Sequence, residues 1–174
     1  LIDCGAEDAH AVQVSGPSGT CISFREFDRR IAFEDLATAG AFMVFSRERD
    51  MFEVARNFTR FFAHESCGFC TPCRVGTTLS ARMMRQIVSR KGSRLDVKDL
   101  GHVAQPLRST SHCGLGATAG TAVLQALSKF RPAFDERLPS FAVLPTFDLD
   151  EALAPAREAT ARDDTAAHFK EDKQ

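Results

Sequence analysis

The chain has 174 residues, of which 44% are apolar and 26% charged, and its net charge is −1. The length allows one domain or two small ones, the composition indicates globular folding, and the near-neutral charge gives no general attraction to nucleic acid or to an anionic membrane. The sequence has neither the apolar run of about 20 residues that a membrane span requires nor a signal-peptide pattern.

The first 46 residues are predicted to be rich in β-strands. Segments 11–15 and 21–24 have strand character and flank the turn signal Gly16-Pro17-Ser18-Gly19, which lacks the pattern of a phosphate-binding loop. The apolar run 41–45 indicates a buried strand. These strands are too few for a freestanding sheet, so we interpret them as the end of a small β domain begun upstream. Because the chain opens at Leu1 and not at Met, we expect a fragment or a processed piece.

From about residue 47 the apolar spacing becomes helical. A first helix is predicted after Asp50 as N-cap, with its apolar residues at Met51, Phe52, Ala55, Phe58, Phe61 and Phe62. A second helix is predicted to end at Gly92, with an apolar stripe at Val75, Leu79, Met83 and Ile87.

Two more helices and a tail are predicted downstream. The third helix begins near Asp96, an N-cap candidate, and is disturbed by Pro106. The fourth runs from about Leu115 to Phe130 and ends before Pro132. Residues 141–174, with an Ala-rich stretch and a charged end, are expected to form an extended or weakly helical tail that lies on a partner or stays mobile.

Cysteine spacing is the most informative feature of the sequence. Three of the six cysteines lie in Glu65-Ser66-Cys67-Gly68-Phe69-Cys70-Thr71-Pro72-Cys73-Arg74, and a fourth lies in Ser111-His112-Cys113-Gly114-Leu115-Gly116. The C-x2-C-x2-C spacing suits three corners of a [4Fe–4S] cluster, and Cys113 is the candidate for the fourth. The helices between the two segments would form a hairpin that returns Cys113 to the loop. With no secretory signal, a cytoplasmic location and metal ligation are favoured over disulfides.

Residues around the cysteines fit this interpretation. Gly68 would let the backbone approach the sulfurs, and Pro72 would direct the chain into the following helix. The positive end of that helix and Arg74 would then face a negatively charged cluster, stabilise its reduced state and raise its potential.

Other interpretations remain open for these and neighbouring residues. A zinc-stabilised interaction module without a redox role is the main alternative, although four-cysteine zinc sites usually combine two separate pairs. A thiol–disulfide enzyme at Cys67 and Cys70 is less favoured because a βαβ context is missing.

Cys4 and Cys21 are interpreted as packed or incidental thiols. His64 and His112 are interpreted as solvated or hydrogen-bonded histidines. The phenylalanines near the motif would shield a cluster or form an ordinary core face: Phe58, Phe61, Phe62 and Phe69.

The two cysteine segments together resemble the iron–sulfur domain of the family of NADH-binding flavoprotein subunits. Its members include the flavoprotein subunit of respiratory complex I, the diaphorase subunit of NAD-reducing hydrogenases and related NAD-dependent formate dehydrogenase subunits. The resemblance runs from about Ala11 to Leu138. It implies an α+β chain with a partial β-grasp-like segment at 1–46, a helical-bundle [4Fe–4S] domain at 47–140 and a tail at 141–174.

The resemblance also implies a function. Cys67, Cys70, Cys73 and Cys113 would hold one [4Fe–4S] cluster, which passes single electrons from FMN to clusters of another iron–sulfur subunit. FMN, reduced by NADH, would be bound by an upstream flavin- and NAD-binding domain of the same subunit. The family's glycine-rich FMN- and NADH-binding segments have no counterpart in this sequence, so the chain alone is not expected to bind NADH or to turn over.

Two departures from the family pattern carry further information. Phe69 and Val75 favour the hydrogenase-type diaphorase branch, although hydrogenase, quinone reductase and formate dehydrogenase all stay open as the electron partner. The stretch Gly114–Gly120 lacks a proline that the family often has, which bears on the start of this helix and not on ligation. No residue of the chain is expected to act as a general acid, base or nucleophile.

Overall fold

A computed structural model of the chain describes residues 5–139 and 149–162. It confirms the predicted α+β class, and the chain divides into two compact units, 1–139 and 140–174. The strands are β1 (Ala9–Val14), β2 (Thr20–Ser23) and β3 (Phe42–Ser46), and the helices are α1 (Met51–Glu65), α2 (Thr71–Val88), α3 (Arg94–Ala104), α4 (Leu107–Thr110), α5 (Gly114–Ala119), α6 (Thr121–Lys129), α7 (Arg131–Asp135) and α8 (Leu149–Thr160). A boundary between a β domain and a helical domain near residue 46 stays a prediction.

The three strands form an antiparallel sheet in the order β2-β1-β3. Val12 of the central strand pairs with Ile22 on one side and with Val44 on the other. The prediction of a buried strand at 41–45 is wrong in its burial, since Phe42, Met43 and Val44 are exposed. The apolar run alone could not distinguish a covered strand from an edge strand, and among the described residues β3 lies at the sheet edge, next to β1.

Polar contacts attach the sheet to helix α6. The backbone N–H of Cys21 donates to Oε1 of Gln125 at 2.7 Å, and Nζ of Lys129 donates to the Cys21 carbonyl at 2.6 Å and to Glu26 at 2.9 Å. The Cys21 side chain is buried, and desolvation raises its pKa to about 11. Cys21 is therefore a packed thiol, as the sequence indicated, while Cys4 lies outside the described residues.

Helices α1, α2, α3, α6 and α7 together enclose an apolar core. Its largest fully buried side chains include Phe52 of α1 and Phe134 of α7, whose rings meet edge to face with centroids 4.9 Å apart. Asp50 is confirmed as the N-cap of α1, because its carboxylate accepts from the backbone N–H groups of Phe52 and Glu53. Asp50 also pairs with Arg137, which links the start of α1 to the end of α7.

Helix α2 buries only part of the predicted stripe: Ile87 is buried and Met83 packs against the apolar core, as expected. Val75 and Leu79 of the expected stripe are exposed, and small or hydroxyl residues line much of the buried face, whose members are Cys73, Gly76, Thr77, Ser80, Met84 and Ile87. A Cβ on Gly76 would lie 3.1 Å from Cδ1 of Leu107, so the missing side chain lets α4 lie against α2. The hydroxyl of Thr77 donates to the Cys73 carbonyl at 2.7 Å, which satisfies it within the helix. Close approach of α4 thus accounts for the small residues in the first half of this face, whereas Met84 and Ile87 in its second half belong to the apolar core.

Helix ends also differ from the predictions. Helix α2 ends at Val88, and not at Gly92, with Arg90 in the left-handed conformation at φ 55°. The N-cap of α3 is Ser93, with Asp96 three residues later in a capping box. The single helix predicted at 115–130 is two helices, α5 and α6, divided at Gly120. A Cβ there would lie 2.3 Å from the Ala104 carbonyl oxygen, so this point is fixed by its contact with α3.

The second unit contains helix α8, whose interior includes Pro155. The expected tail was extended or weakly helical, and residues 149–160 of it form this helix; the rest of the predicted tail, at 141–148 and 163–174, lies outside the described residues. Among the helices of the described residues, none is long and apolar enough to cross a membrane.

Candidate metal centre

Three of the predicted ligands lie where α1 passes into α2. Helix α1 ends at Glu65, Cys67 lies in the connecting loop, Cys70 is the N-cap of α2, and Cys73 lies in the first turn of that helix. Pro72 occupies the start of the helix, where a missing N–H costs nothing. Cys73 is buried at 4% exposure, Cys70 is half-buried and Cys67 is exposed. The loop therefore presents cysteines from the surface inward.

The shape of this loop depends on Gly68 and Arg74. Gly68 has φ +78°, a conformation that residues with a side chain rarely adopt. Apart from its chain neighbours, a Cβ there would have Arg74 Cδ nearby, at 3.8 Å, so the turn itself accounts for Gly68, and its close approach to the cluster sulfurs stays a prediction. The Arg74 guanidinium donates to the Gly68 carbonyl and to the Thr71 hydroxyl at 3.3 Å. Arg74 thus ties the loop to the helix as well as adding a positive charge.

The fourth predicted ligand lies at the junction between α4 and α5. Cys113 is exposed and is the N-cap of α5. This junction is held against α1 and α2 by a cluster of buried residues, Phe62, Leu107 and Ala119. Gly116 in α5 lies against α2 so closely that a Cβ there would be 3.1 Å from Cys73 Cβ. Residues on α1, α4 and α5 thereby position the Cys113 segment next to the cysteine loop.

Two contacts join the cysteine loop to the residue before Cys113. The backbone N–H of His112, with a smaller contribution from that of Cys73, holds the pKa of the Cys70 thiol below its ordinary value against the opposing effect of desolvation. The rings of His112 and Phe69 meet edge to face with centroids 5.6 Å apart. The hairpin return of Cys113, expected from the sequence, is therefore present in the fold.

The donor set fits an iron–sulfur cluster. Within residues 5–139 and 149–162, no three Cys, His, Asp or Glu side chains are placed to hold a single metal ion. A zinc site would bring four sulfurs to about 2.3 Å from one ion, whereas each thiolate of a [4Fe–4S] cluster binds a different iron. Three cysteines on one loop and a fourth on the neighbouring junction would suit the second arrangement, as the cysteine spacing predicts.

Two serines near the cysteines were not singled out by the sequence analysis. The Ser66 hydroxyl lies 3.4 Å from Cys73 Sγ and accepts from the Gly68 N–H at 3.4 Å. The Ser111 hydroxyl is buried, and it has no hydrogen-bond partner among the described residues. The sequence contains one signal that could have identified these serines: in both segments a hydroxyl residue lies one or two positions before a cysteine.

The other residues near the motif have simpler roles. His64 is 86% exposed and contacts Glu65 at 2.9 Å, in agreement with its interpretation as a solvated residue. Phe62 is buried in the cluster of apolar residues that supports the site, whereas Phe61 and Phe69 are exposed, Phe69 to 78%. In the described chain, Phe69 contacts His112 while leaving its own ring largely open to solvent.

Comparison with known proteins relates the chain to NAD-linked oxidoreductases. Residues 53–137 match the family described as the NADH-ubiquinone oxidoreductase-F iron-sulfur binding region. The chain is 41% identical over 158 residues to the NAD-reducing hydrogenase HoxS subunit alpha of Cupriavidus necator, covering 89% of this chain and 26% of that protein. It is 34% identical over 127 residues to an NADH-quinone oxidoreductase subunit of Aquifex aeolicus, covering 72% of this chain and 30% of that protein.

A solved structure shares the fold. A crystal structure of an NAD+-reducing [NiFe]-hydrogenase in the H2-reduced state matches 93% of this chain with a TM-score of 0.74 and 43% sequence identity. The chain covers 29% of the matched hydrogenase chain, and its share of the two curated relatives is similarly small. The likeness therefore concerns one region of larger proteins.

Proposed function

We propose that this chain, whose residues 53–137 belong to the NADH-ubiquinone oxidoreductase-F iron–sulfur binding family, relays single electrons through one [4Fe–4S] cluster. The cysteine segments had indicated this family from the sequence. The proposed ligands are Cys67, Cys70, Cys73 and Cys113. When bound, such a cluster accepts and releases one electron at a time. The chain's own residues hold it, shape the loop around it and supply hydrogen-bond donors.

One observation carries the proposal. The rings of His112 and Phe69 meet edge to face with centroids 5.6 Å apart, and the His112 N–H holds the pKa of the Cys70 thiol below its ordinary value, which favours the thiolate that binds metal. The ring contact joins the residue next to Cys113 to the loop that contains the other three cysteines. The proposed ligand set is therefore supported by a contact between segments distant in sequence, and not only by the spacing within the loop.

The wider assembly is proposed by analogy with the relatives. FMN and NAD(H) would be bound by a domain upstream of this chain in the same subunit, and the electrons would pass to clusters in another iron–sulfur subunit. The matched relatives extend well beyond the region that this chain covers, which leaves room for such a domain in their sequences. The 41% identity to a hydrogenase subunit, together with Phe69 and Val75, supports a hydrogenase-type diaphorase as the assembly.

The test is to purify or reconstitute the chain anaerobically and to count bound iron, sulfide and zinc. We expect about four irons and four sulfides per chain and an S = 1/2 EPR signal after reduction with dithionite. Each of the variants Cys67→Ala, Cys70→Ala, Cys73→Ala and Cys113→Ala is expected to lose this signal or to change its shape. Cys21→Ala is the matched control, because Cys21 is a buried thiol bonded to α6 through its backbone.

The possible results separate the candidate functions. A cluster retained unchanged in Cys113→Ala would contradict the assignment of the fourth ligand. Stoichiometric zinc without visible absorption would overturn the relay and favour the zinc-stabilised interaction module. Because the chain has neither Tyr nor Trp, its own near-ultraviolet absorption is weak. The near-ultraviolet and visible absorption of a bound cluster would therefore dominate the spectrum.

A further inference from the structure

The Ser111 hydroxyl is a polar group that the fold buries without a partner. Its Oγ is inaccessible to solvent, and no acceptor or donor lies within hydrogen-bond distance among the described residues. Leaving a buried hydroxyl unsatisfied is costly, so such groups usually have a partner that completes them. Its backbone N–H is satisfied by the Leu107 carbonyl at 3.2 Å, which fixes where the side chain begins.

The position of this hydroxyl indicates which partner would complete it. Ser111 lies two residues before Cys113, and its side chain faces Gly116 of α5. A Cβ on Gly116 would lie 2.6 Å from Ser111 Cβ, 2.7 Å from Ser111 Oγ and 3.1 Å from Cys73 Cβ. The Ser111 hydroxyl and the carbon that carries the Cys73 thiol thus both border the space that a Cβ on Gly116 would occupy.

The hydroxyl of another serine, Ser66, contacts the Cys73 thiol. Ser66 Oγ lies 3.4 Å from Cys73 Sγ, within the range of a hydrogen bond to sulfur. Ser66 and Ser111 come from different segments, the α1–α2 loop and the α4–α5 junction. Hydrogen bonds to the sulfurs of an iron–sulfur cluster stabilise added negative charge, and one-electron reduction adds one such charge. A hydroxyl donor at this point therefore favours the reduced form.

We propose that the Ser111 hydroxyl donates a hydrogen bond to an inorganic sulfide of the bound cluster and thereby raises the midpoint potential of the cluster. Ser111 is a positioning residue and not a ligand. This inference depends on the proposed function, because the acceptor sulfur belongs to the cluster. The competing role is purely structural: the side chain fills the space beside Gly116, and its hydroxyl makes no bond.

Ser111→Ala separates these roles, since it removes the oxygen and keeps the Cβ that packs against Gly116. The matched control is Ser109→Ala, because the Ser109 hydroxyl is exposed and donates to the Pro106 carbonyl at 3.3 Å. The full chain carrying its cluster is titrated with dithionite in the presence of mediators, and the reduced cluster is followed by EPR. At a fixed solution potential, we expect the ratio of reduced to oxidised cluster to fall by about tenfold in Ser111→Ala, which corresponds to about 59 mV, and to be unchanged in Ser109→Ala.

A second readout distinguishes a hydrogen bond from packing, and a third checks that the variant still folds. In D2O, the reduced wild-type cluster is expected to show a hyperfine coupling from an exchangeable deuteron that Ser111→Ala lacks. The midpoint temperature of thermal unfolding of the metal-free chain is expected to be unchanged or raised by Ser111→Ala, because the hydroxyl oxygen has no partner without the cluster. Ser111→Thr, which keeps the donor, is expected to retain the deuteron coupling wherever it retains the cluster.

The outcomes also separate this inference from the proposed function. Equal midpoint potentials and equal deuteron couplings in wild type and Ser111→Ala, with the cluster present in both, would overturn the role of Ser111 and leave the electron relay intact. Zinc in place of iron in the wild-type chain would overturn both.

Discussion

Gly116→Ala tests whether the close approach of α5 to α2 positions the candidate metal centre. The added Cβ would lie 2.6 Å from Ser111 Cβ and 3.1 Å from Cys73 Cβ, and neither atom is the end of a flexible side chain. Overpacking of this kind costs about 1–3 kcal/mol, and the gain of about 0.5–1 kcal/mol for replacing a helical glycine offsets part of it. We expect the free energy of unfolding to fall by about 1–2 kcal/mol.

Gly114→Ala is the matched control in the same helix. A Cβ on Gly114 would meet nothing within 4 Å, so only the loss of backbone freedom in the unfolded chain remains, and we expect stabilisation of about 0.4–1 kcal/mol. Both variants are measured by urea unfolding of the metal-free chain, followed by circular dichroism under reducing conditions. Iron content after reconstitution is expected to fall in Gly116→Ala alone, because the clash separates the Cys113 segment from Cys73.

A double variant tests the steric cause directly. Ser111→Gly removes the two nearest atoms from the Cβ added at position 116, leaving Cys73 Cβ at 3.1 Å as the closest of the contacts recorded there. Gly116→Ala is therefore expected to cost less in the Ser111→Gly background, with a coupling free energy of about 0.5–3 kcal/mol. Equal stabilisation by Gly116→Ala and Gly114→Ala would refute the reasoning, and so would a double variant with no coupling.

Three further results are expected. Lys129→Met should lower the free energy of unfolding by about 1 kcal/mol at neutral pH. Desolvation raises the pKa of Glu26, but hydrogen bonds, with that from Lys129 first among them, hold this pKa below its ordinary value of 4.5. The stability from the pair is therefore lost as pH falls through the lowered pKa, and urea titrations near pH 7 and pH 4 should show the difference between wild type and variant shrinking. Phe134→Ala should cost about 3–5 kcal/mol in the same assay, whereas Phe33→Ala, at a residue 92% exposed, should cost almost nothing. Cys21, with its pKa raised to about 11, should resist alkylation at about pH 8 until the chain unfolds.

Features that depend on local sequence were predicted well. The α+β class, the three strand positions and the Asp50 cap of α1 follow from alternation, turn residues and capping chemistry within a few residues. The C-x2-C-x2-C segment likewise forms a loop that leads into a helix, with Pro72 in its first turn. In each case the deciding interaction lies close in the chain, so the sequence contains it directly.

Features that depend on distant neighbours were not predicted. The buried stripe of α2 was placed on Val75, Leu79, Met83 and Ile87 because large apolar residues usually face a core. Its second half is correct, but in the first half Gly76 lies against Leu107 while Val75 and Leu79 are exposed. Gly120 interrupts the fourth predicted helix at its contact with the Ala104 carbonyl, about which the local sequence says nothing. The exposure of β3 depends in the same way on strand order, and that order is a property of the whole sheet.

Three glycines explain how the Cys113 segment comes close to the cysteine loop. An added Cβ would lie 3.1 Å from α4 at Gly76, 2.6 Å from Ser111 at Gly116 and 2.3 Å from the end of α3 at Gly120. At each glycine the missing side chain leaves space for a neighbouring element, and together the three glycines let α5 pack against α2 beside Ser111 and Cys73. Since these contacts involve no proposed ligand thiol, the approach of the two segments is a property of the packing. Cluster binding therefore acts on a site whose parts the fold already holds near one another, and substitutions at these glycines should weaken cluster retention without removing a ligand.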